Sequence, residues 1–120
     1  MEEYQYDGHT YQLKKLGLAD AKEVLSKLQG IGFFDDGLEA LMKSTSELDS
    51  LERKLFGQNV QLLNDTGDWV PMGKPITDAH FEGRLAAYFN VLLKAVTYNF
   101  EDFLGGGWAT GLVAAADPEE

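Results

Sequence analysis

Large apolar and polar side chains alternate through Tyr4-Gln5-Tyr6 and again through Tyr11-Gln12-Leu13, on either side of Asp7-Gly8. A period of two places Tyr4, Tyr6, Tyr11 and Leu13 on one face of a strand pair, and Asp-Gly tolerates the positive φ of a tight hairpin turn. The pattern predicts a β-hairpin over about 3–14. Two strands alone are marginal in water, so that face needs helices or a partner to cover it.

From Leu18 the period lengthens. Leu18, Ala21, Val24, Leu25 and Leu28 recur at helical spacing, with Lys22, Glu23, Ser26 and Lys27 on the other side, and Gly30 and Gly32 mark an end near Gln29. The pair Phe33-Phe34 then reads as exposed. Asp35 and Asp36 can cap a second helix carrying Leu38, Leu41, Met42, Leu48, Leu51 and Leu55. Ser44-Thr45-Ser46-Glu47 has the form of a capping box, so one long helix and two shorter ones both satisfy the spacing.

Between Asn64 and Pro75 the helical period is lost. Asp65, Gly67, Pro71, Gly73 and Pro75 predict a loop around Trp69, Val70 and Met72. Thr77, followed by Asp78, reads as the N-cap of a long amphipathic helix with Phe81, Leu85, Tyr88, Phe89, Leu92, Val96, Phe100 and Phe103 on its stripe. Gly105-Gly106-Gly107 ends it before an Ala- and Gly-rich segment. The expected fold is mainly α: a short N-terminal β-hairpin followed by a small helical bundle with a long C-terminal amphipathic helix. Residues 1–104 form a single mainly helical domain, and 105–120 a flexible tail.

A length of 120 residues and a hydrophobic share of 44% suffice for one core and hardly for two. With no cysteine in the chain, disulfides, thiolate metal sites and a cysteine nucleophile are excluded. Twenty acidic against ten basic residues give a formal charge of −10, which repels nucleic acid and anionic lipid. The same charge serves solubility or steers a basic partner; composition does not separate the two. Met1-Glu2-Glu3-Tyr4 lacks the basic start and apolar run of a secretory leader, and no stretch approaches the about 20 apolar residues of a membrane span.

Candidate chemistry is sparse. The two histidines, His9 and His80, fall in a hairpin turn and in the first turn of a helix, and His80 and Glu82 diverge on a helix because they are two apart. Asp35-Asp36 and Glu101-Asp102 read as caps and solvated faces rather than as a calcium loop, which needs a spaced series of oxygen ligands. Gly105–Gly107 lacks the lysine and preceding strand of a phosphate-binding loop. No enzyme activity, cofactor or metal is therefore expected, and the chain reads as a binding protein. The candidate contact residues are Phe33, Phe34, Trp69, Phe100, Phe103 and Trp108, each with core packing as its competing use.

Two stretches carry a resemblance. Tyr11-Gln12-Leu13-Lys14-Lys15-Leu16-Gly17-Leu18, together with His80-Phe81-Glu82-Gly83-Arg84-Leu85 through Tyr98-Asn99-Phe100-Glu101-Asp102-Phe103, resembles the tail assembly chaperones of long-tailed bacteriophages. The order of elements is similar over nearly the whole chain, down to an Asn-Phe-x-x-Phe-like segment before a glycine-rich tail. The resemblance implies a protein that binds and solubilises the tape-measure protein and helps recruit tail-tube subunits. It would act in the host cytoplasm and be absent from the mature virion. An exposed aromatic stripe would also favour a homo-oligomer. The rival expectation is a small acidic phage-encoded inhibitor that mimics nucleic acid on a host protein, which requires carboxylates gathered on one face.

Overall fold

The computed structural model describes residues 2–57 and 59–101. The predicted hairpin forms: β1 (Glu2–Tyr6) pairs antiparallel with β2 (His9–Leu13), and Asp7 and Gly8 take φ of 55° and 80°, as a type I′ turn requires. The first helix, α1 (Leu18–Gly30), lies close to its expected bounds. Beyond it the chain breaks into α2 (Phe33–Asp36), α3 (Leu38–Lys43) and α4 (Thr45–Leu55). Asp35 and Asp36 lie inside α2 instead of capping a long helix. The break at Ser44 is made without a side-chain capping bond; the Ser44 carbonyl accepts the Glu47 amide at 2.9 Å.

The mainly α expectation is overturned by β3 (Val60–Leu63) and β4 (Trp69–Pro71), which extend the hairpin into a four-stranded antiparallel sheet of order β1-β2-β3-β4. The fold mixes α and β. The segment around Trp69 and Val70 is thus a strand and not a loop. Its turn is tied by Asn64, whose side-chain oxygen accepts the amides of Thr66 and Asp68 at 3.0 and 2.8 Å. Strands of three and four residues show no period by themselves. They form because β2 lines up Tyr11 with Leu62 and Leu13 with Val60, and β3 in turn lines up Leu62 with Val70 and Leu63 with Trp69.

The long C-terminal helix is also shorter than expected. Helix α5 (Lys74–His80) starts before Thr77, with Pro75 in its first turn. Thr77 is buried inside it, and its hydroxyl donates to the Met72 carbonyl at 3.0 Å. The chain then turns through Phe81–Arg84, where Gly83 has φ of 73°, and α6 (Leu85–Asn99) follows. Phe103, Trp108 and the Gly105–Gly107 run lie outside the described residues.

Helix α6 is buried almost all round: Ala87, Tyr88, Phe89, Val91, Leu92, Ala95, Val96 and Tyr98 are inside. Such a helix needs cover on both sides. The sheet face of Tyr4, Tyr6, Tyr11, Leu13, Val60 and Leu62 joins the core on one side, and α3 and α4 pack on the other. Tyr11, Phe81, Phe56 and Tyr88 form a continuous aromatic column with ring centroids 5.7–6.4 Å apart.

Polar ties fix the register of hairpin and helix. Asp7 pairs with Arg84 at 2.8 Å, Asn90 donates to the Tyr6 hydroxyl at 3.2 Å, and Glu2 pairs with Lys94 at 2.6 Å. Lys15 donates to the Tyr98 carbonyl at 2.6 Å and to Glu101 at 2.7 Å, placing a cation at the negative end of α6, whose last turn has no basic residue. Among the described residues no helix is long and apolar enough to cross a membrane.

Truncating the fully buried Leu92 to alanine should lower the unfolding free energy by about 2–5 kcal/mol, read by urea denaturation. Leu18→Ala, at a side chain 75% exposed, should shift it by no more than about 0.5 kcal/mol.

Candidate functional site

Three helices meet around an open crevice of about 210 Å³. Helix α4 supplies Asp49 and Glu52, three residues apart on one face; α5 supplies Lys74, Thr77 and Asp78; Phe81 and α6's Leu85 and Tyr88 complete the wall. A second hollow of about 150 Å³ continues past Asp49, Glu52 and Lys74 to Arg53, Gly57, Met72 and Gly73. Both are smaller than the roughly 300–1,000 Å³ of small-molecule pockets, so the cleft suits side chains of a partner rather than a whole cofactor.

Glu52 is the unusual member. Only 8% exposed, it lies on the apolar stripe of α4 with Leu48, Leu51 and Leu55, and its Oε1 accepts the Tyr88 hydroxyl at 2.8 Å. Burial, reinforced by this bond to a carboxylate, pushes the Tyr88 phenol far above its ordinary value, so it stays a neutral donor. At the mouth, the Lys74 ammonium stands 3.3 Å from Asp78 and 3.9 Å from Asp49, with all three side chains at least 60% exposed. Asp78, Asp49 and Glu52 together hold Lys74 above the usual lysine range, Asp78 contributing most. Leu85 reaches into solvent at 66% exposure. The result is an apolar floor under a negative rim. Among the described residues no group of three or more His, Asp or Glu side chains is placed to hold a metal ion.

The two histidines, distant in sequence, come together. His9 stands edge-on to His80 with centroids 4.6 Å apart, and the Tyr11 hydroxyl is hydrogen-bonded to His80 Nε2 at 2.8 Å. Arg84 donates to the His80 carbonyl at 3.0 Å and to Asp7 at 2.8 Å, closing the corner. Burial, then the charges of His9 and Arg84, lower His80 to about 4. The cluster fastens the hairpin to α5.

A third surface is the outer face of the sheet. Glu3, Gln12, Gln61 and Pro71 form one row across all four strands, and Leu63 stands opposite Trp69 on the same side. Of the aromatic candidates, Trp69 is therefore half-exposed on a sheet face turned from the core. Phe33 and Phe100 are buried at 3% and 5% exposure, so the pair Phe33-Phe34 is not an exposed one. Phe34 is half-buried against the core, edge-on to Phe33 at 5.4 Å. Phe103 and Trp108 lie outside the described residues. Sequence reading missed Asp49, Glu52, Lys74 and Asp78. Glu52 alone had left a signal, a charge at an apolar position of the helical period.

Compared with known proteins, the chain matches no family model, no curated protein and no solved structure.

Two outcomes test the site. Tyr88→Phe removes the donor to a buried carboxylate and should cost about 1.5–3 kcal/mol of stability, with Glu52→Gln costing less because an amide oxygen still accepts. As pH falls, the unfolded chain protonates His80 near its ordinary 6.5 while the fold resists until about 4. The stability is complete above the first value and is lost toward the second. The loss assigned to His80 should be about 1–2 kcal/mol, less than the full shift implies because water screens the partly exposed ring. His80→Gln should remove that part of the slope in denaturation curves between neutral pH and about pH 4.5.

Proposed function

We propose that this chain is a tail assembly chaperone of a long-tailed bacteriophage, which binds and solubilises the tape-measure protein and helps recruit tail-tube subunits. The carrying observation is the crevice between α4, α5 and α6, where Phe81, Leu85 and Tyr88 form an apolar wall beneath Asp49, Glu52 and Asp78. An elongated helical client carries apolar stripes that aggregate when bare. A holder for it needs apolar surface to cover them and like charge outside to keep the complexes apart.

The crevice supplies the first and a formal charge of −10 the second. Contact through a few apolar anchors gives about 25 cal/mol per Å² buried, less the cost of association, which suits a client that must later be released into the tail. The resemblance of the Tyr11–Leu18 and His80–Phe103 stretches supports the same reading and brings the host cytoplasm as the place of action, with the protein absent from the finished virion. Half-exposed Trp69 beside Leu63 offers a second surface, for self-association or for the tail-tube protein.

Co-expression with the tape-measure protein encoded beside it tests this. The client should move into the soluble fraction and co-purify, Leu85→Asp should lower the recovered client by roughly tenfold, and a chain cut after Leu104, together with Trp108→Ala, reads the share of the C-terminal segment. A client as insoluble as with an unrelated acidic protein would overturn the proposal.

A further inference from the structure

The crevice already holds a cation, Lys74, and holds it loosely. Its ammonium lies between Asp78 and Asp49 at distances of 3.3 and 3.9 Å, all three groups in contact with water. Exposed pairs of this kind are individually weak, so an incoming cation displaces this one at little cost. Glu52 lies behind them, 8% exposed, with Oε1 taken by Tyr88. Below the carboxylates the wall turns apolar at Phe81 and at Leu85, the latter left 66% exposed at the start of α6.

We infer that the crevice between α4, α5 and α6 docks a basic amphipathic helix of the partner protein. An apolar residue of that helix covers the exposed Leu85 beside the buried Phe81, and a lysine or arginine one turn away displaces Lys74 from Asp49 and Asp78. The occupant follows from charge complementarity: three carboxylates face one lysine across an apolar wall. Residues three or four apart on a helix lie on one side about 5–6 Å apart, the spacing needed to engage apolar wall and acidic rim together. An acidic helix would set like charge against Asp49 and Asp78, and a purely apolar one would cover a rim whose three carboxylates are balanced by Lys74 alone. The inference rests on the chaperone reading for the partner's identity and on the crevice for its chemistry.

The test uses the full chain and a fluorescent amphipathic peptide of about 18 residues, built of leucine and lysine, with its leucine–glutamate counterpart as control. Anisotropy should show binding of the lysine peptide only. The double variant Asp49→Asn, Asp78→Asn should weaken it by on the order of tenfold. The charge-matched remote pair Asp35→Asn, Asp36→Asn should change it less than about twofold. Lys74→Ala should tighten binding several-fold, whereas Lys43→Ala, which removes the same charge elsewhere, should not. Equal weakening by the two aspartate pairs would reduce the effect to general attraction and overturn the inference, as would equal binding of the glutamate peptide or no binding at all. Failure here is separable from failure of the chaperone role. A tape-measure protein solubilised equally well by the Asp49→Asn, Asp78→Asn chain would remove the crevice and leave the chaperone. Peptide binding with these signatures beside an insoluble tape-measure protein would do the reverse.

Discussion

Helix α6 is apolar on nearly every side, and that constraint organises the molecule. A helix with one apolar stripe settles on one neighbour; one that buries Tyr88, Phe89, Val91, Leu92, Ala95 and Val96 together has to be enclosed. The hairpin alone is too narrow a cover, and β3 and β4 widen it into a sheet, while α3 and α4 close the opposite side. β3 brings Val60 and Leu62 to that cover, and β4 is held by its pairing with β3. The same enclosure brings the middle of α4, α5 and the first turn of α6 to one corner, and the crevice is the gap left between them.

Polar groups in this fold select geometry more than they add stability. Glu2–Lys94, Asp7–Arg84 and Lys15–Glu101 are surface pairs, individually weak, yet they fall at intervals along α6 and hold the hairpin in one register against it. Glu52 differs because it is inside. A buried carboxylate needs its donor, and Tyr88 supplies it from α6, so the alignment of α4 with α6 is set by a bond that an apolar residue at this position could not make.

Local signals were legible and distant ones were not. Asp7-Gly8 between alternating segments specified the hairpin, and the spacing of Leu18 to Leu28 specified α1, because turn chemistry and helical period act within a few residues. Val60–Leu63 and Trp69–Pro71 are too short to carry a period; the pairing of β3 with β2 spans the whole of α1 to α4, and β4 pairs only with β3. Thr77 looked like an N-cap from its neighbours alone; Pro75 had already begun the helix, and the threonine hydroxyl turned to the Met72 carbonyl. The aromatic residues could not be sorted by sequence into core and surface, since Phe33 and Trp69 differ only in which way the finished fold turns them. The rim of the crevice is assembled from α4 and α5, and of its members only Glu52 broke a local rule.

The ties between the hairpin and α6 join the beginning of the described chain to its end. During synthesis, the aromatic face of β1 and β2 emerges before the helix that covers it, so the core cannot close until α6 has been made. Until Arg84, Asn90 and Lys94 arrive, Tyr4, Tyr6 and Tyr11 stay open to water and to any neighbouring nascent chain. A protein built in this order spends its first moments with its own stickiest surface uncovered, and its acidic charge serves it then as much as afterwards, by keeping unfinished copies from meeting.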